Sequence, residues 1–188
     1  MNKFRLSFFV VIGIRQFAVS SLLLCLAIAS AASEKQVLPK RLPSAAIGLP
    51  PIGSLPDSVK INLAISLPLR NQARLTELLR ELYDPASPQY RHYLTPAEFA
   101  GQFGPTVQDY EKLTSFVRSH HLTVRRTYPN RTLLDVSAKV EEIRQTFGVN
   151  LILHAHPTEN RNFYAPDASP SMDAGVAVLA IKGLDDYF

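Results

Sequence analysis

The run SPQYRHYLTPAEFAGQFGP, residues 87–105, constrains the fold of this chain more than any other stretch. Thr95 stands where a helix N-cap is expected, Pro96 follows at the first helical position, and Glu98 comes three residues after the cap. In such a capping box the threonine hydroxyl accepts a hydrogen bond from the backbone N–H of the glutamate, whose carboxylate accepts from the backbone N–H of the threonine. The run therefore predicts a short, well-capped helix over residues 96–103.

The apolar residues on either side of this helix predict one compact domain of helices and strands. Alternation in residues 59–67 is typical of a half-buried strand, and the leucine spacing in residues 71–84 is typical of an amphipathic helix. The predicted elements, in order, are a strand (59–67), a helix (71–84), the capped helix (96–103), a helix that starts at Thr106, two hairpin strands (122–128 and 132–137), a helix (140–147) and a strand (149–155). Without the extra helical insertion this order is the split βαβ, ferredoxin-like pattern. It predicts an α+β fold in which an antiparallel sheet carries its helices on one face.

The first 32 residues have the anatomy of a secretory signal peptide. Basic residues flank two apolar stretches, 4–14 and 17–29, and small residues follow them. Cleavage is expected after Ala31 or Ala32. The alternative is an uncleaved signal anchor, because the two stretches together approach the ~20 residues that span a bilayer, but the charge of Arg15 between them disfavours one continuous span. The sequence therefore predicts a secreted chain that meets a membrane only through this segment.

The composition excludes several classes of chemistry once the signal peptide is removed. Cys25 is the only cysteine and lies in the second apolar stretch, so the rest of the chain has no thiol for a disulfide, a nucleophile or a metal site. Three of the 20 basic residues leave with the signal peptide, and the 17 that remain face 16 acidic ones, a net charge of +1. These basic residues are scattered along the sequence, which argues against a nucleic-acid partner.

A proline-rich segment separates the signal peptide from the folded domain. Residues 33–57 hold five prolines and two glycines and show no periodic apolar pattern. Such a composition is typical of an extended, mobile leader. The folded domain is then expected over residues 58–186, with its end near Asp185 and Asp186.

Four motifs, occurring in a fixed order, make the chain resemble the N-terminal activation domain of the sedolisin (kumamolisin-like) serine-carboxyl peptidases. They are the run at 87–105, PNRTLLDVS at 129–137, FGV at 147–149 and VAVLAIKGLDD at 176–186. The resemblance implies the same fold, which subtilisin-like proteases also use in their propeptides. It further implies a propeptide that templates the folding of a sedolisin-type catalytic domain, in cis in a longer precursor or in trans, and that inhibits this domain until acid loosens the interface.

The catalytic apparatus of that family is missing from the sequence. The resemblance implies enzymes that use a Glu, an Asp and a Ser, the Ser in a Gly-Thr-Ser motif, together with a calcium site. This chain contains no Gly-Thr-Ser, no Glu-x-x-x-Asp and no Gly-x-Ser-x-Gly sequence. We therefore expect a chain that is not an enzyme, lacks the catalytic domain, and has no catalytic residue, cofactor or metal.

Two histidines on the last predicted strand are the strongest candidates for a functional site. His154 and His156 are two residues apart, so both side chains project from the same face of the sheet. One interpretation is a zinc site with a third ligand, although no second ligand pair is apparent in the sequence. The other is a docking face for the partner enzyme, in which the histidines become charged as pH falls through about 6.5. Strand parity gives the residues of this candidate interface and pH switch: Asn62, Arg125, Asp135, Ile152, His154 and His156.

Two other functions stay open at this point. A freestanding secreted protease inhibitor of the same fold would act on an enzyme in trans. A ferredoxin-like domain that binds small ligands or RNA would need surface aromatic residues and a basic sheet face. The sequon Asn130-Arg131-Thr132 is also a formal glycosylation site, but its position in the predicted hairpin turn needs no glycan.

Overall fold

The computed structural model describes residues 34–39 and 47–188. The predicted signal peptide, with Cys25 and the expected cleavage sites Ala31 and Ala32, lies outside these residues. Glu34–Phe188 forms one compact unit. None of the helices in the described part of the chain is long and apolar enough to span a bilayer.

Four helices and nine strands make up the described residues. The helices are α1 (Gln72–Tyr83), α2 (Pro96–Gln102), α3 (Val107–Ser119) and α4 (Val140–Phe147). The strands are β1 (Lys35–Val37), β2 (Pro51–Ser54), β3 (Lys60–Ser66), β4 (Thr123–Thr127), β5 (Leu133–Lys139), β6 (Leu151–Ala155), β7 (Asn162–Pro166), β8 (Ser171–Asp173) and β9 (Ala180–Lys182).

The predicted caps of the helices are confirmed. At the start of α2, the backbone N–H of Thr95 donates to the Glu98 carboxylate at 2.8 Å, and the Thr95 hydroxyl accepts from the backbone N–H of Glu98 at 3.3 Å. At the start of α3 the Thr106 hydroxyl accepts from the backbone N–H of Asp109 at 3.0 Å. α4 ends at Gly148, whose φ of 67° is the left-handed conformation that favours glycine.

The predicted helical insertion is a separate packing unit formed by α1 and α2. Its small core consists of Leu78, Leu82 and Phe103, with three partly buried apolar neighbours. The guanidinium groups of Arg70 and Arg131 donate to backbone carbonyls at the C-terminal end of α2, where positive charge also suits the helix dipole. These contacts fasten the insertion to the rest of the domain.

The main core lies between a four-stranded antiparallel sheet and two helices. The strand order is β4-β5-β3-β9. Alternating side chains of β3 and β5 point to the core side, and α3 and α4 cover them. The central buried residues are Ile61, Leu63, Ile65, Leu134, Val136, Leu113, Val117, Ile143 and Phe147.

The α+β class with antiparallel sheets is confirmed, but the strand that completes the main sheet is not the one that the ferredoxin-like pattern predicted, residues 149–155. That pattern places the strand after α4 at the edge of the sheet beside the first strand. Here β9 pairs with β3 at this edge, and β6 is instead the central strand of a second, three-stranded sheet of order β2-β6-β7. Both edges of β6 are thus occupied by other strands, so its backbone groups are satisfied without the main sheet.

The described parts of the proline-rich segment also differ from the expected mobile leader. β1 pairs with β8, β2 pairs with β6, and the side chain of Leu38 is only 4% exposed within the main core. The Gln36 amide donates to the carbonyl of Val176. β1 and β2 are extended segments that pair with the edges of β8 and β6. The described prolines of this segment lie near the ends of β1 and β2, where a missing backbone N–H does not prevent pairing.

Candidate functional site

Within the described residues, the helices that cover the four-stranded sheet pack on one of its faces. Its core side packs against α3 and α4, whereas no residue that points to the other side is buried. We call this other side the open face. Strand register assigns to it Lys60, Asn62, Ala64, Ser66, Thr123, Arg126, Leu133, Asp135, Ser137, Lys139, Ala180 and Lys182.

The open face gathers positive charge from strands that are distant in sequence. Lys60 lies directly opposite Lys139, Lys182 lies opposite Ala64 in the next row, and Arg126 lies opposite Asp135. Within the described part of the chain, none of the four cations forms an ion pair within 4.0 Å. Like charges placed directly across a strand pair are destabilising, so the isolated domain gains no stability from this arrangement.

Hydrogen bonds of two tyrosines hold the Asp135 carboxylate and the end of β4 in place. The Tyr128 hydroxyl donates to Asp135 at 2.8 Å. The backbone N–H of Tyr128 donates at 3.2 Å to the hydroxyl of Tyr110, which itself donates to the carbonyl of Leu133 at 2.8 Å. Burial raises the pKa of Tyr110, so its hydroxyl keeps its proton and its role as donor. These bonds anchor β4 and the turn that follows it to β5.

The structure distributes the six predicted interface residues over two sheets. Asn62 and Asp135 lie on the open face. Arg125 is exposed at a bulge that shifts the register, so that Arg126 is the residue opposite Asp135. Within the described residues, neither arginine forms an ion pair with Asp135. Ile152, His154 and His156 belong to β6 or follow it, and therefore do not extend the open face.

The side of the β2-β6-β7 sheet that holds the histidines is covered by the chain itself. The His154 ring stacks on Phe163 at 5.4 Å between centroids, and the His156 ring lies 4.6 Å from that of Tyr187. Phe163 is 1% exposed and packs with Tyr187 and Leu49 in a small apolar cluster. We call this side the covered face. The prediction that His154 and His156 share one face agrees with their common contact with Phe163, but this face is not open.

The two histidines use Nδ1 in opposite ways. Nδ1 of His154 lies 3.2 Å from the carbonyl of Pro50, to which it donates. Nδ1 of His156 accepts from the backbone N–H groups of Glu159 at 3.1 Å and Thr158 at 3.4 Å. Among the residues that the structure describes, no group of three or more His, Cys, Asp or Glu side chains is arranged to hold a metal ion.

The residues at the predicted end of the folded domain are fastened beside the covered face. Arg161 donates to the carbonyls of Asp186, at 2.8 Å, and Tyr187, and it also pairs with Glu159. The Asp186 carboxylate accepts from the backbone N–H of Tyr164 at 2.6 Å. The hydrogen bond from Arg161 lowers the pKa of Glu159, and burial raises the pKa of Tyr164 to about 12.

Sequence reasoning missed the cations of the open face because it treated the basic residues as scattered. Lys60 begins β3 and Lys139 ends β5, and only the pairing of these two strands places the lysines opposite each other. The strand parity that placed Asn62 on this face also places Lys60 there, so the sequence did contain a signal for this cation. At the sequon, Oδ1 of Asn130 accepts from both the N–H and the hydroxyl of Thr132, so the side chain has a structural role in the turn.

Comparison with known proteins agrees with the resemblance in the motifs. The family model "Pro-kumamolisin, activation domain" matches residues 50–187. Xanthomonalisin from Xanthomonas sp. (strain T-22) is 28% identical over 128 residues, 67% of this chain and 15% of that protein. Sedolisin from Pseudomonas sp. (strain 101) is 22% identical over 125 residues, 66% of this chain and 21% of that protein. Kumamolisin from Bacillus sp. (strain MN-32) is 27% identical over 99 residues, 53% of this chain and 18% of that protein.

The matched region is a small part of each relative. The chain spans about a fifth, or less, of the length of the curated relatives that it matches. The match to the family model, in contrast, covers most of this chain and includes every element from β2 to β9. The chain therefore belongs to the family of pro-kumamolisin activation domains.

Proposed function

We propose that this chain acts as the propeptide of a secreted sedolisin-type serine-carboxyl peptidase. In this role it templates the folding of the catalytic domain and inhibits it until the pH falls. It has no hydrolytic activity of its own. The observation that carries the proposal is the open face: within residues 34–39 and 47–188, four of its cations form no ion pair and no helix packs on it.

The charge of the open face defines the partner surface that it fits. Lys60, Lys139, Lys182 and Arg126 complement a surface of carboxylates, and charge complementarity gives an interface its orientation and association rate. The opposed pair of Lys60 and Lys139 is unfavourable in the free chain but favourable against such a surface. An acidic surface on the catalytic domain is therefore the partner proposed here.

The same charges give a direct route to release in acid. Carboxylates with ordinary pKa values of about 4 are ionised at neutral pH and are neutralised as pH falls through that value. The cations of the open face keep their charge throughout this range. Attraction across the interface is then present at neutral pH and lost in acid.

An RNA-binding function would need a basic sheet face and exposed aromatic rings, and in the described part of the chain the open face has only the first. The open face is basic, as such a function requires. None of the described residues that strand register assigns to it is aromatic, and Tyr128, which reaches this face, is tied to Asp135 by a hydrogen bond. These residues therefore offer no row of rings on which bases could stack. The family match and the lack of such a row favour the peptidase partner.

The test is a refolding and inhibition assay with the sedolisin-type catalytic domain of the same organism. The chain should raise the yield of active enzyme on refolding and should inhibit the folded enzyme at neutral pH. The triple variant Lys60→Glu, Lys139→Glu, Lys182→Glu should bind at least about 100-fold more weakly, since like-charge contacts across an interface cost several kcal/mol. Lys112→Glu, on α3 at the opposite side of the sheet, is the matched control and should inhibit like the wild type.

Each outcome of this assay separates one function from another. A freestanding inhibitor would inhibit the folded enzyme without raising the refolding yield. A chain that neither inhibits nor assists folding contradicts the proposal. If the triple variant inhibits as strongly as Lys112→Glu, the chain is still an inhibitor, but the open face is not the surface that binds the enzyme.

A further inference from the structure

We propose that His156 and Arg161 form an acid-sensitive clasp that holds residues 185–187 on the β6–β7 sheet and releases them as the pH falls. The regulatory meaning of this release rests on the proposed function, whereas the release itself is a property of this chain alone. The clasp lies outside the open face and involves neither its cations nor a partner.

Polar contacts attach the backbone of residues 185–187 at several points. The Arg161 guanidinium donates to two successive carbonyls, those of Asp186 and Tyr187. The N–H of Tyr164 donates to the Asp186 carboxylate at 2.6 Å, and the N–H of Asp186 donates to the carbonyl of Tyr164 at 3.3 Å. This segment is thus bound in the manner of a short extended peptide along β7.

Aromatic contacts complete the clasp and bring in His156. The Tyr187 ring is 9% exposed and lies 5.1 Å from the Phe163 ring and 4.6 Å from the His156 ring. His156 therefore contacts the held segment directly. It also shapes the turn that carries Arg161, because its Nδ1 accepts from the N–H groups of Thr158 and Glu159.

Protonation of His156 opposes the closed clasp through the turn that carries Arg161. A proton on Nδ1 removes the acceptor of two backbone N–H groups, so the turn keeps the bond from the His156 N–H to the Arg161 carbonyl but loses the two bonds to the ring. Neutral His156 thus favours the closed state, protonated His156 favours the open state, and the clasp is closed at neutral pH and opens in mild acid.

The other charged groups around His156 set the limits of this effect. Glu159 attracts a protonated His156, but its carboxylate is already held by Arg161. The titratable and charged groups that face the clasp are His154, Glu159, Arg161, Tyr164, Asp185 and Asp186.

His154 provides a matched comparison on the same face. It stacks on Phe163 but has no ring contact with Tyr187, and its Nδ1 donates to the carbonyl of Pro50 rather than accepting from the turn. Its titration should therefore affect the β2 side of the sheet and leave residues 185–187 in place.

The test follows the held segment in the full chain. The sequence contains no tryptophan, and Phe188 is 98% exposed, so Phe188→Trp gives a single reporter next to Tyr187. Between pH 7.5 and 5.5, tryptophan anisotropy should fall as the segment is released. Hydrogen exchange in residues 180–188, corrected for its intrinsic pH dependence, should show an opening equilibrium that rises by about tenfold, since one proton gives at most tenfold per pH unit.

Two variants decide whether His156 is responsible. In His156→Asn the amide oxygen replaces Nδ1 as acceptor without titrating, so the pH response should disappear while the closed state persists. His154→Gln should retain the wild-type response. A wild-type chain with no change between pH 7.5 and 5.5, or a His156→Asn chain with the wild-type profile, overturns the clasp.

A further variant covers the case in which His156→Asn does not fold. Arg161→Lys loses the fork that binds two carbonyls at once, so residues 185–187 should already be released at pH 7.5. Retention of the closed state in Arg161→Lys contradicts the proposal. A segment that opens in acid in a chain that fails to inhibit a peptidase would preserve the clasp and contradict only the proposed function.

Discussion

The two larger sheets of this molecule differ in what covers their outer faces. The open face of the β4-β5-β3-β9 sheet carries Lys60, Lys139, Lys182 and Arg126, and none of its described residues is buried. The covered face of the β2-β6-β7 sheet buries Phe163 beneath residues from distant parts of the same chain. One sheet is covered by its own chain, whereas the other presents four cations that form no ion pair within the described residues.

This difference separates stability from recognition. Burial of an aromatic side chain under its own chain stabilises the fold. Opposed lysines on an uncovered sheet weaken it, and such an arrangement has a physical rationale only when a surface of opposite charge binds there. We therefore assign folding stability to the covered face and partner binding to the open face.

The largest expected effect is the loss of the covered aromatic cluster. Phe163→Ala should lower the free energy of unfolding by about 3–5 kcal/mol, the usual cost of removing a buried phenylalanine. Leu133→Ala on the open face, where the side chain is only half-buried, should cost about 1 kcal/mol or less. Urea unfolding measures both, and equal losses would contradict the contrast between the faces.

Acid should weaken the sheet with the covered face through Asp167. Burial raises the pKa of this carboxyl, but hydrogen bonds from the side chain and backbone of Asn150, at 2.7 and 2.9 Å, outweigh it and lower the pKa below its usual 3.8. Because the folded pKa is lowered, the stabilisation is present above pH 3.8 and is lost as pH falls through the folded value. Solvent screening limits the effect to about 1 kcal/mol. Asp167→Asn should flatten the slope of stability below pH 4, and an unchanged slope would contradict this assignment.

A smaller effect, of opposite sign, is expected on the open face. Lys60→Glu places a carboxylate opposite Lys139 and turns a repulsive cross-strand pair into an attractive one. The free energy of unfolding of the free chain should rise by about 0.2–1 kcal/mol, while binding to the catalytic domain weakens. Lys112→Glu on α3 is the control. A loss of stability in Lys60→Glu would show that Lys60 already serves the free domain.

We expect the chain to hydrolyse no peptide bond. It lacks the Gly-Thr-Ser, Glu-x-x-x-Asp and Gly-x-Ser-x-Gly motifs, so incubation with denatured protein at pH 3 to 7 should release no peptides. Cleavage that a single Ser→Ala substitution in this chain abolishes would contradict the assignment as a non-catalytic activation domain.

The sequence was sufficient to predict the elements that are defined by local signals. The capping box of Thr95 and Glu98 located α2, and apolar alternation located β3 and β5. Gly148 marked the end of α4. Each of these signals lies within a few residues of the structure that it specifies, so it can be read without knowledge of the fold.

Features that depend on long-range pairing could not be predicted in the same way. β1 and β9 are three-residue strands with too few positions to show a period. The pairing of β2 with β6, and the contact of Tyr187 with the His156 ring, depend on residues far apart along the chain. For the same reason the opposed lysines of the open face became visible only with the strand register.

The most direct test of the central claim is a lysine footprint of the chain in complex with the catalytic domain. Acetylation by an amine-reactive ester at neutral pH compares Lys60, Lys139 and Lys182 on the open face with Lys112 on α3, the matched internal reference. We expect acetylation of the three open-face lysines to slow in proportion to the fraction of chain bound, while Lys112 reacts at the rate it has in the free chain. Protection of Lys112 with unchanged rates at the open-face lysines would contradict this expectation.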